Sequence, residues 1–272
     1  MKYIGIIYHP RREEAVKYSE QLAGILKKKR IEAWLGSAWE PDKLKDRIKG
    51  SDLVISIGGD GTILRAAKAI IPGTVPILGI NLGNLGFMSE LSVEEAESKL
   101  TDVLKGEGWI ENRSLLEVHL KKKALYALND VFVGRRSLAR LVSVECKLNR
   151  DEMTVYRADG IIVSTASGST GYSLASGGPI LHPESRDIVV QPVSPHFSFD
   201  RSLVLPPETV IDLRVNTSHE AMMSVDGQVE EQLNSGDRVR VQLSKYKARF
   251  LRLKDKNYFY SSLESRLRRK TT

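Results

Sequence analysis

A glycine-rich segment that carries one carboxylate is the first candidate for chemistry in this chain. Its residues, Gly58-Gly59-Asp60-Gly61-Thr62, follow an apolar β-branched run and open a helical pattern. Glycines let backbone N–H groups approach an anion closely, and the start of a helix adds the positive end of its dipole. A carboxylate repels phosphate, so Asp60 fits better as a base toward a hydroxyl or as a metal partner. The alternative is a tight strand-to-helix turn in which Asp60 caps the helix.

A second glycine-rich segment, Asn81-Leu82-Gly83-Asn84-Leu85-Gly86-Phe87, follows the end of the next predicted strand. In an open α/β sheet, ligands bind beyond the carboxyl ends of the strands. The two glycine-rich strand ends, 58–62 and 83–86, would therefore flank one crevice. Taken alone, the second segment is equally consistent with a simple turn.

Two polar residues, Asn129 and Asp130, interrupt the strand-like sequence YALNDVFVG. Polar residues in a β-branched run indicate either a bulge or turn, or a polar pocket into which they point. The residues alone favour neither interpretation.

The longest polar segment begins at Arg157-Ala158-Asp159-Gly160 and continues through IIVSTASGSTGYSLASGGPI. Hydroxyl and backbone donors are dense in this segment, and Tyr172 offers a ring on which a base could stack. The alternative is a Gly/Ser loop within a β-rich domain. The hydroxyl-bearing residues are Thr165, Ser167, Ser169, Thr170 and Ser173.

Several common catalytic motifs are absent from the sequence. There is no GxxxxGK[ST] loop, no GxGxxG fingerprint and no GxSxG elbow. The histidines, at positions 9, 119, 182, 196 and 219, lack the spacing of a metal site. We therefore expect no metal held by protein side chains alone.

The predicted elements that must position these residues fall into two groups. Residues 1–108 alternate strands (3–9, 31–35, 53–57, 75–81) with helices (12–30, 62–71, 93–105), which predicts an α/β domain with a mostly parallel sheet. Residues 109–254 predict an all-β, sandwich-like domain, with short apolar runs at 115–120, 125–133, 141–149, 153–157, 161–165, 187–194, 210–216, 221–225, 238–244 and 248–253. A C-terminal helix within 255–272 is expected to pack back on the α/β domain.

Composition narrows the class of protein. The 272 residues are 41% hydrophobic and 28% charged, which is typical of globular domains. A single cysteine, Cys146, excludes a disulfide framework and fits a reducing compartment. No apolar run approaches the 18 residues of a membrane span, and the N-terminus looks like a strand rather than a signal peptide. We expect a cytoplasmic protein with no membrane partner.

The net charge of +7 has two interpretations: a phosphate-rich partner or a solvated surface. Part of the excess lies at the end of the chain, in Arg266, Arg268, Arg269 and Lys270. No basic motif with interleaved aromatic residues appears, so the charge gives little support to a nucleic-acid partner.

Taken together, these segments resemble the NAD kinase family. The sequences SIGGDGTILRAA, GINLGNLGFMSEL, ALND, RADGIIVSTASGSTGYSLASGGPILHP and SVDGQ occur in the family's order and spacing, from 56 to 228. The resemblance implies an α/β domain followed by a β-sandwich domain that binds NAD, in a homo-oligomer (dimer or tetramer). It implies transfer of the terminal phosphate of ATP or polyphosphate to the adenosine ribose 2′-hydroxyl of NAD, with Mg²⁺ arriving with the donor phosphates.

The resemblance also assigns roles to individual residues. Asp60 is implied as the general base, and Gly58, Gly59, Gly61 and Thr62 as the phosphate-donor loop. The implied NAD-binding residues are Asp60, Gly61, Arg65, Asn129, Asp130, Arg157, Asp159, Thr170, Gly171, Tyr172, Ser173, Leu174, Ala175 and Gln228.

The chain departs mildly from the family pattern. Asp130 stands where the family has Glu, and Ala158 where it has Gly. Ala166, Gly171 and Ala175 stand where Pro, Ala and Ser are common. The last change removes a hydroxyl that would touch the ligand.

Three other functions remain open from the sequence. A lipid or sphingoid kinase shares GGDGT, but no membrane-facing amphipathic stretch appears beyond the basic C-terminus. A non-catalytic NADP-binding sensor would not need Asp60. A nucleic-acid-binding module is supported only by net charge.

Overall fold

The computed structural model describes residues 1–83, 86–137 and 140–268. Asn84, Leu85, Arg269 and Lys270, which the sequence analysis singled out within motifs or the basic tail, lie outside them. The chain divides into two compact units, one formed by Met1–Asn112 and Ala248–Thr272 and the other by Arg113–Lys247. In the described part of the chain, no helix is both long and apolar enough to cross a bilayer.

The first unit is an α/β layer structure around a parallel sheet. Its strands lie in the order β2-β1-β3-β4, and β5 and the last part of β17 pair with β4, also in parallel. The elements are β1 (Tyr3–Tyr8), α1 (Glu13–Lys28), β2 (Glu32–Ser37), α2 (Lys45–Lys49), β3 (Leu53–Ile57), α3 (Asp60–Ile70), β4 (Ile77–Asn81), β5 (Leu91–Ser92), α4 (Val93–Lys105) and α6 (Tyr258–Arg268), with β17 (Arg238–Arg252) ending here.

Helices cover both faces of this sheet. Ile4, Ile55 and Ile80 point to the face covered by α1 and α4, where they form one buried core. Gly79, one residue along in β4, points to the other face and lies against Ile63 of α3. Because both faces are covered, β3 and β4 are buried along their whole length, as their continuous apolar sequences predict.

The second unit is a sandwich of antiparallel sheets. One sheet has the order β10-β9-β14-β17, with β6 pairing with β17 and β7, and the other has the order β13-β12-β11-β8-β15-β16. The elements are β6 (Trp109–Leu120), β7 (Lys123–Ala127), β8 (Asp130–Arg135), β9 (Val142–Leu148), β10 (Asp151–Ala158), β11 (Gly160–Ser164), α5 (Tyr172–Ala175), β12 (Ile188–Val193), β13 (Leu203–Leu205), β14 (Ile211–Asn216), β15 (Ala221–Val225) and β16 (Val229–Leu233). Alternate residues of both sheets, such as Val144 and Val133, meet in one core.

The predicted fold class is therefore confirmed, but several predicted elements change. The run 125–133 is two strands that are separated just before Asp130, and the predicted strands 238–244 and 248–253 are one strand, β17. Residues 245 and 247, between the two predicted runs, are exposed and Ala248 is buried, so the strand alternation continues through them. The predicted helix 62–71 begins earlier, at Asp60. Helices α2 and α5 and the strands β5, β13 and β16 were not predicted.

Candidate active site

The turn between β3 and α3 carries the first cluster. Gly58 has φ of +150°, and a Cβ there would collide with the Thr62 hydroxyl. Glycine alone adopts this conformation at little cost. Gly59 is the N-cap of α3 and Asp60 is its first residue, so Asp60 does not cap the helix and the simple-turn interpretation is wrong on this point. The Thr62 hydroxyl is buried without a hydrogen-bond partner among the described residues.

The Asp60 carboxylate is fixed by the segment that follows the second glycine-rich cluster. Its Oδ2 accepts a hydrogen bond from the Phe87 amide at 3.0 Å. Its Oδ1 lies 3.3 Å from the Met88 amide and 3.4 Å from the Ser89 hydroxyl, both of which donate to it. The start of α3 is thus joined to residues 87–89, which follow the second glycine-rich cluster.

The close contact between the Asp60 carboxylate and this segment depends on Gly86. A Cβ at Gly86 would occupy the space of the Asp60 carboxylate, whereas a Cβ at Gly83 would meet nothing within 4 Å. The final glycine of the second cluster is therefore explained by contact with the carboxylate rather than by its own φ. The segment therefore holds the Asp60 carboxylate and is more than a turn.

A buried ion network holds the residues on either side of Ser89. The Arg252 guanidinium donates to the Met88 carbonyl at 3.0 Å, to Glu90 at 3.1 Å and to Glu111 at 2.9 Å. Glu90 also accepts the amides of Leu253 and Lys254. Despite burial, the two carboxylates raise the pKa of Arg252 above its ordinary value. The network fixes the segment that binds Asp60.

An aromatic and basic group, here named the Trp39 cluster, lies beyond the ends of β1 and β2 and consists of His9, Arg11, Trp39 and Arg65. The Arg65 guanidinium lies 4.4 Å from the centre of the Trp39 ring, and the His9 ring lies 4.5 Å from it. The Arg11 guanidinium is 5.9 Å away. Burial, followed by the charge of Arg12, lowers the pKa of His9. Arg65 was predicted as a site residue, but its aromatic partner was not.

In the second unit, Asn129 and Asp130 lie where β7 ends and β8 begins. The Asp226 carboxylate accepts the amides of Leu128, Asn129 and Asp130 at 2.9, 2.7 and 3.1 Å. The Asn129 side-chain oxygen is buried and has no hydrogen-bond partner among the described residues. Both interpretations of these polar residues thus hold: they mark a strand break and line a polar pocket.

That pocket is a cavity of about 280 Å³. Burial, followed by the Asp226 charge, raises the pKa of Asp130 to about 7. The cavity lining consists of Asn129, Asp130, Phe132, Tyr172, Ser224, Asp226 and Gly227.

The Tyr172 ring lies 5.7 Å from that of Phe132, and the tyrosine is 45% exposed. Burial, followed by the charges of Asp159 and Asp130, raises the pKa of Tyr172. Asp159 lies between β10 and β11 and forms a 2.8 Å ion pair with Arg135.

The remaining predicted residues of this unit do not line the cavity. Arg157 lies in β10 and is exposed. Thr170 and Ser173 are buried, Gly171 and Leu174 are half-buried, and Ala175 is exposed. Gln228 lies in the turn between β15 and β16, one residue beyond the cavity lining.

The predicted residues thus divide between the two units, and only some of those in the second unit line its cavity. Sequence reasoning missed Trp39, Arg135, Asp226 and the Arg252 network. The position of Asp226 beside a glycine in SVDGQ did indicate a turn. Acidic residues are common in turns, so this pattern alone did not identify a site residue.

Comparison with known proteins agrees with this organisation. The family model described as "ATP-NAD kinase N-terminal domain" matches residues 28–108, and the one described as "ATP-NAD kinase C-terminal domain" matches residues 128–253. A curated NAD kinase of Dehalococcoides mccartyi is 47% identical over 273 residues, covering 98% of this chain and 96% of the relative. An NAD kinase of Chloroflexus aurantiacus is 36% identical over 274 residues, covering 99% of both chains.

Two solved structures share the whole fold. A yeast NADH kinase complexed with NADH has a TM-score of 0.83 at 26% identity, covering 98% of this chain and 87% of that one. An NAD kinase from Archaeoglobus fulgidus in complex with ATP has a TM-score of 0.79 at 25% identity, covering 97% and 99%.

A parallel α/β unit with a glycine-rich strand-to-helix turn, followed by a β-sandwich unit, together with these matches defines a phosphotransferase. The chain belongs to the NAD kinase family, as the sequence resemblance predicted. The lipid-kinase alternative is therefore set aside.

Proposed function

We propose that this enzyme transfers the terminal phosphate of ATP to the adenosine ribose 2′-hydroxyl of NAD, with Asp60 as the general base. The observation that carries the proposal is the fixed Asp60 carboxylate beside a glycine-rich helix start. Phosphoryl transfer requires mainly positioning, charge neutralisation and one carboxylate on the attacking hydroxyl. Asp60 takes up the hydroxyl proton as the new P–O bond forms.

The donor loop follows from the same turn. The start of α3, an eleven-residue helix, places the positive end of the helix dipole at this turn, where it attracts an anion. Gly58, Gly59 and Gly61 carry no side chains that would cover the helix start, and the buried Thr62 hydroxyl has a hydrogen bond left to give. These features support the four residues as the phosphate-donor loop. The ATP bound to the archaeal relative supports ATP rather than polyphosphate as donor.

NAD recognition is proposed for the Asn129–Asp130 pocket and for Tyr172. The buried Asn129 oxygen lacks a donor, which a ribose hydroxyl supplies, and the exposed Tyr172 ring offers a face for the adenine. Arg65, Arg157, Asp159, the run Thr170–Ala175 and Gln228 remain proposed NAD contacts by motif match. The NADH bound to the yeast relative is consistent with a dinucleotide site.

Magnesium is proposed to arrive with the donor phosphates, where it neutralises their charge. The described residues hold no group of three or more His, Cys, Asp or Glu side chains placed to ligate an ion. A Mg²⁺ ion that arrives with the nucleotide is held mainly by phosphate oxygens and water.

We also propose that the enzyme is a cytoplasmic homo-oligomer. The lone, buried Cys146 suits a reducing compartment. Phe197 is 97% exposed in the second unit, which supports an interface there.

The test compares NADP formation from NAD, ATP and Mg²⁺ in the parent and in Asp60→Asn. We expect the parent to make NADP and the variant to be about 10²–10⁴-fold slower, since general-base help is typically worth that much. NAD binding, measured by calorimetry, is expected to persist in the variant. Asp46→Asn is a matched control, because Asp46 is an exposed carboxylate of the same unit that pairs with Lys49.

An Asp60→Asn enzyme with parental turnover would remove Asp60 as the base. A parent that binds NAD or NADP but makes no NADP from ATP or polyphosphate would favour the sensor interpretation instead.

A further inference from the structure

Arg266 is a buried arginine in α6, far along the chain from the glycine-rich turn. It is only 8% exposed. Its guanidinium lies between two aromatic rings, 5.6 Å from the centre of Phe87 and 5.2 Å from that of Tyr258. A cation buried between ring faces is held in position, because the rings attract it and restrict its rotamers.

No carboxylate in the described part of the chain forms an ion pair with Arg266. Its guanidinium hydrogen-bonds to the Tyr258 side chain, and its Nε is buried without a partner. Arg252, in the same unit, is equally buried but is paired with both Glu90 and Glu111. Burial lowers the pKa of Arg266, whereas the two carboxylates raise that of Arg252. A buried cation without a counter-ion is costly, so its retention points to an anion that is supplied from outside.

The position of Arg266 indicates which anion this is. Phe87, whose ring contacts the guanidinium, donates its amide to the Asp60 carboxylate at 3.0 Å. The Asp60 charge is near enough to raise the pKa of Arg266, although no salt bridge joins the two side chains. The free cation and the proposed base therefore flank the same small region, in which an acceptor hydroxyl and a donor phosphate must meet.

We propose that Arg266 binds the terminal phosphate of the donor and stabilises its charge during transfer. The inference rests on the proposed function. The bond between the terminal phosphorus and the bridging oxygen breaks, and ADP leaves with the electron pair. A P–O bond forms to the acceptor hydroxyl, whose proton passes to Asp60. Arg266 keeps its own proton and supplies hydrogen bonds to the phosphoryl oxygens.

The experiment replaces the cation and measures both turnover and nucleotide preference. Arg266→Met keeps most of the side-chain volume, and Arg249→Met is the control, since Arg249 lies in the same unit and donates to the Thr74 carbonyl. We expect Arg266→Met to lower kcat about 10²–10³-fold, as loss of one preorganised donor does. The control is expected to keep parental turnover.

Binding of Mg-ATP and Mg-ADP, measured by calorimetry, separates a phosphate contact from a structural role. A contact to the terminal phosphate predicts that Arg266→Met loses about tenfold or more of the parent's preference for ATP over ADP, while NAD affinity is unchanged. A merely structural role predicts that affinity for both nucleotides falls together. Equal loss for ATP and ADP, or kcat within about threefold of the parent, overturns the inference.

If Arg266→Met does not fold, Arg266→Lys tests the inference in its place. Lysine keeps the charge but loses the planar fork, so we expect a parental melting temperature with lower kcat and a weaker preference for ATP. A lysine variant with the parent's kcat and preference overturns the inference. Asp60→Asn distinguishes the two proposals: if that variant keeps full turnover, the general base is wrong, whereas full turnover in Arg266→Met alone removes only the role of Arg266.

Discussion

The buried side chain of Asp130 makes the free energy of unfolding depend on pH. Burial and the neighbouring Asp226 raise its pKa to about 7, so the folded ligand-free protein keeps a proton that the unfolded chain releases near pH 4. Between these values the folded state binds more protons. Its free energy of unfolding must therefore fall as the pH rises from about 4 to 7.

We expect Asp130→Asn, which stays neutral, to lack this decline. Relative to the parent, the variant should gain about 2–3 kcal/mol of stability as the pH rises from 5 to 8, since each pH unit below the folded pKa contributes about 1.4 kcal/mol. Thermal unfolding of both ligand-free proteins across that range measures the difference.

Asp42→Asn is the control for this series, because a hydrogen bond from Lys45 lowers the pKa of Asp42. Its replacement should give no gain in stability on going from pH 5 to 8. A melting-temperature difference between Asp130→Asn and the parent that stays constant with pH would contradict the argument.

At the residue scale, the sequence predicted site residues only where a local pattern carried the information. Asp60 stands in a motif whose position after a buried strand already indicates an anion-handling turn. Trp39 and Arg266 carry no such pattern. Trp39 contacts Arg65, and Arg266 contacts Phe87. Because both partners are distant along the chain, no local sequence pattern could predict these contacts.

At the scale of elements, the loop after β4 is constrained by the helix opposite it. The Asp60 carboxylate at the start of α3 occupies the space that any side chain at position 86 would need. The loop therefore limits where the carboxylate can lie. Its glycines differ, because Gly86 contacts the carboxylate and Gly83 does not.

We expect Gly86→Ala to lower turnover about tenfold or more, because the added methyl must displace either the carboxylate or the loop, and a misplacement of about 1 Å can cost 10²-fold. Gly83→Ala is the matched control in the same loop, since its Cβ would meet nothing within 4 Å. Steady-state rates of NADP formation measure both. Equal rates in the two variants would show that the contact with Asp60 is dispensable.

The elements themselves were predictable to differing degrees. The strand 53–57 and the helix 93–105 have the predicted bounds, because each combines a strong apolar pattern with a clear end signal: Gly58 after the strand and a Ser92–Glu95 capping box before the helix. Strand β16, VEEQL, has too little apolar character to be recognised alone and is held by its pairing with β15. Tertiary pairing supplied what local sequence could not.

At the scale of the whole molecule, association is the property most open to test. We expect sedimentation equilibrium to give a mass that is a multiple of 30.4 kDa. Phe197→Ser should weaken that association about tenfold or more, since burial of a phenylalanine is worth about 1.5–3 kcal/mol. Tyr260→Ser, which alters another exposed aromatic residue in the first unit, is the control and should leave the mass unchanged. A monomeric parent at micromolar concentration would refute the oligomer.

The division of the chain has a consequence for its synthesis. Glu90 and Glu111 leave the ribosome early, whereas Arg252, the cation that neutralises them, follows 141 residues after Glu111. Until then the nascent α/β unit holds two carboxylates that it cannot bury, because burying them unpaired is costly. The segment that binds Asp60 thus reaches its final form only after the sandwich unit has been translated. The α/β unit is translated first, but its fold is completed last.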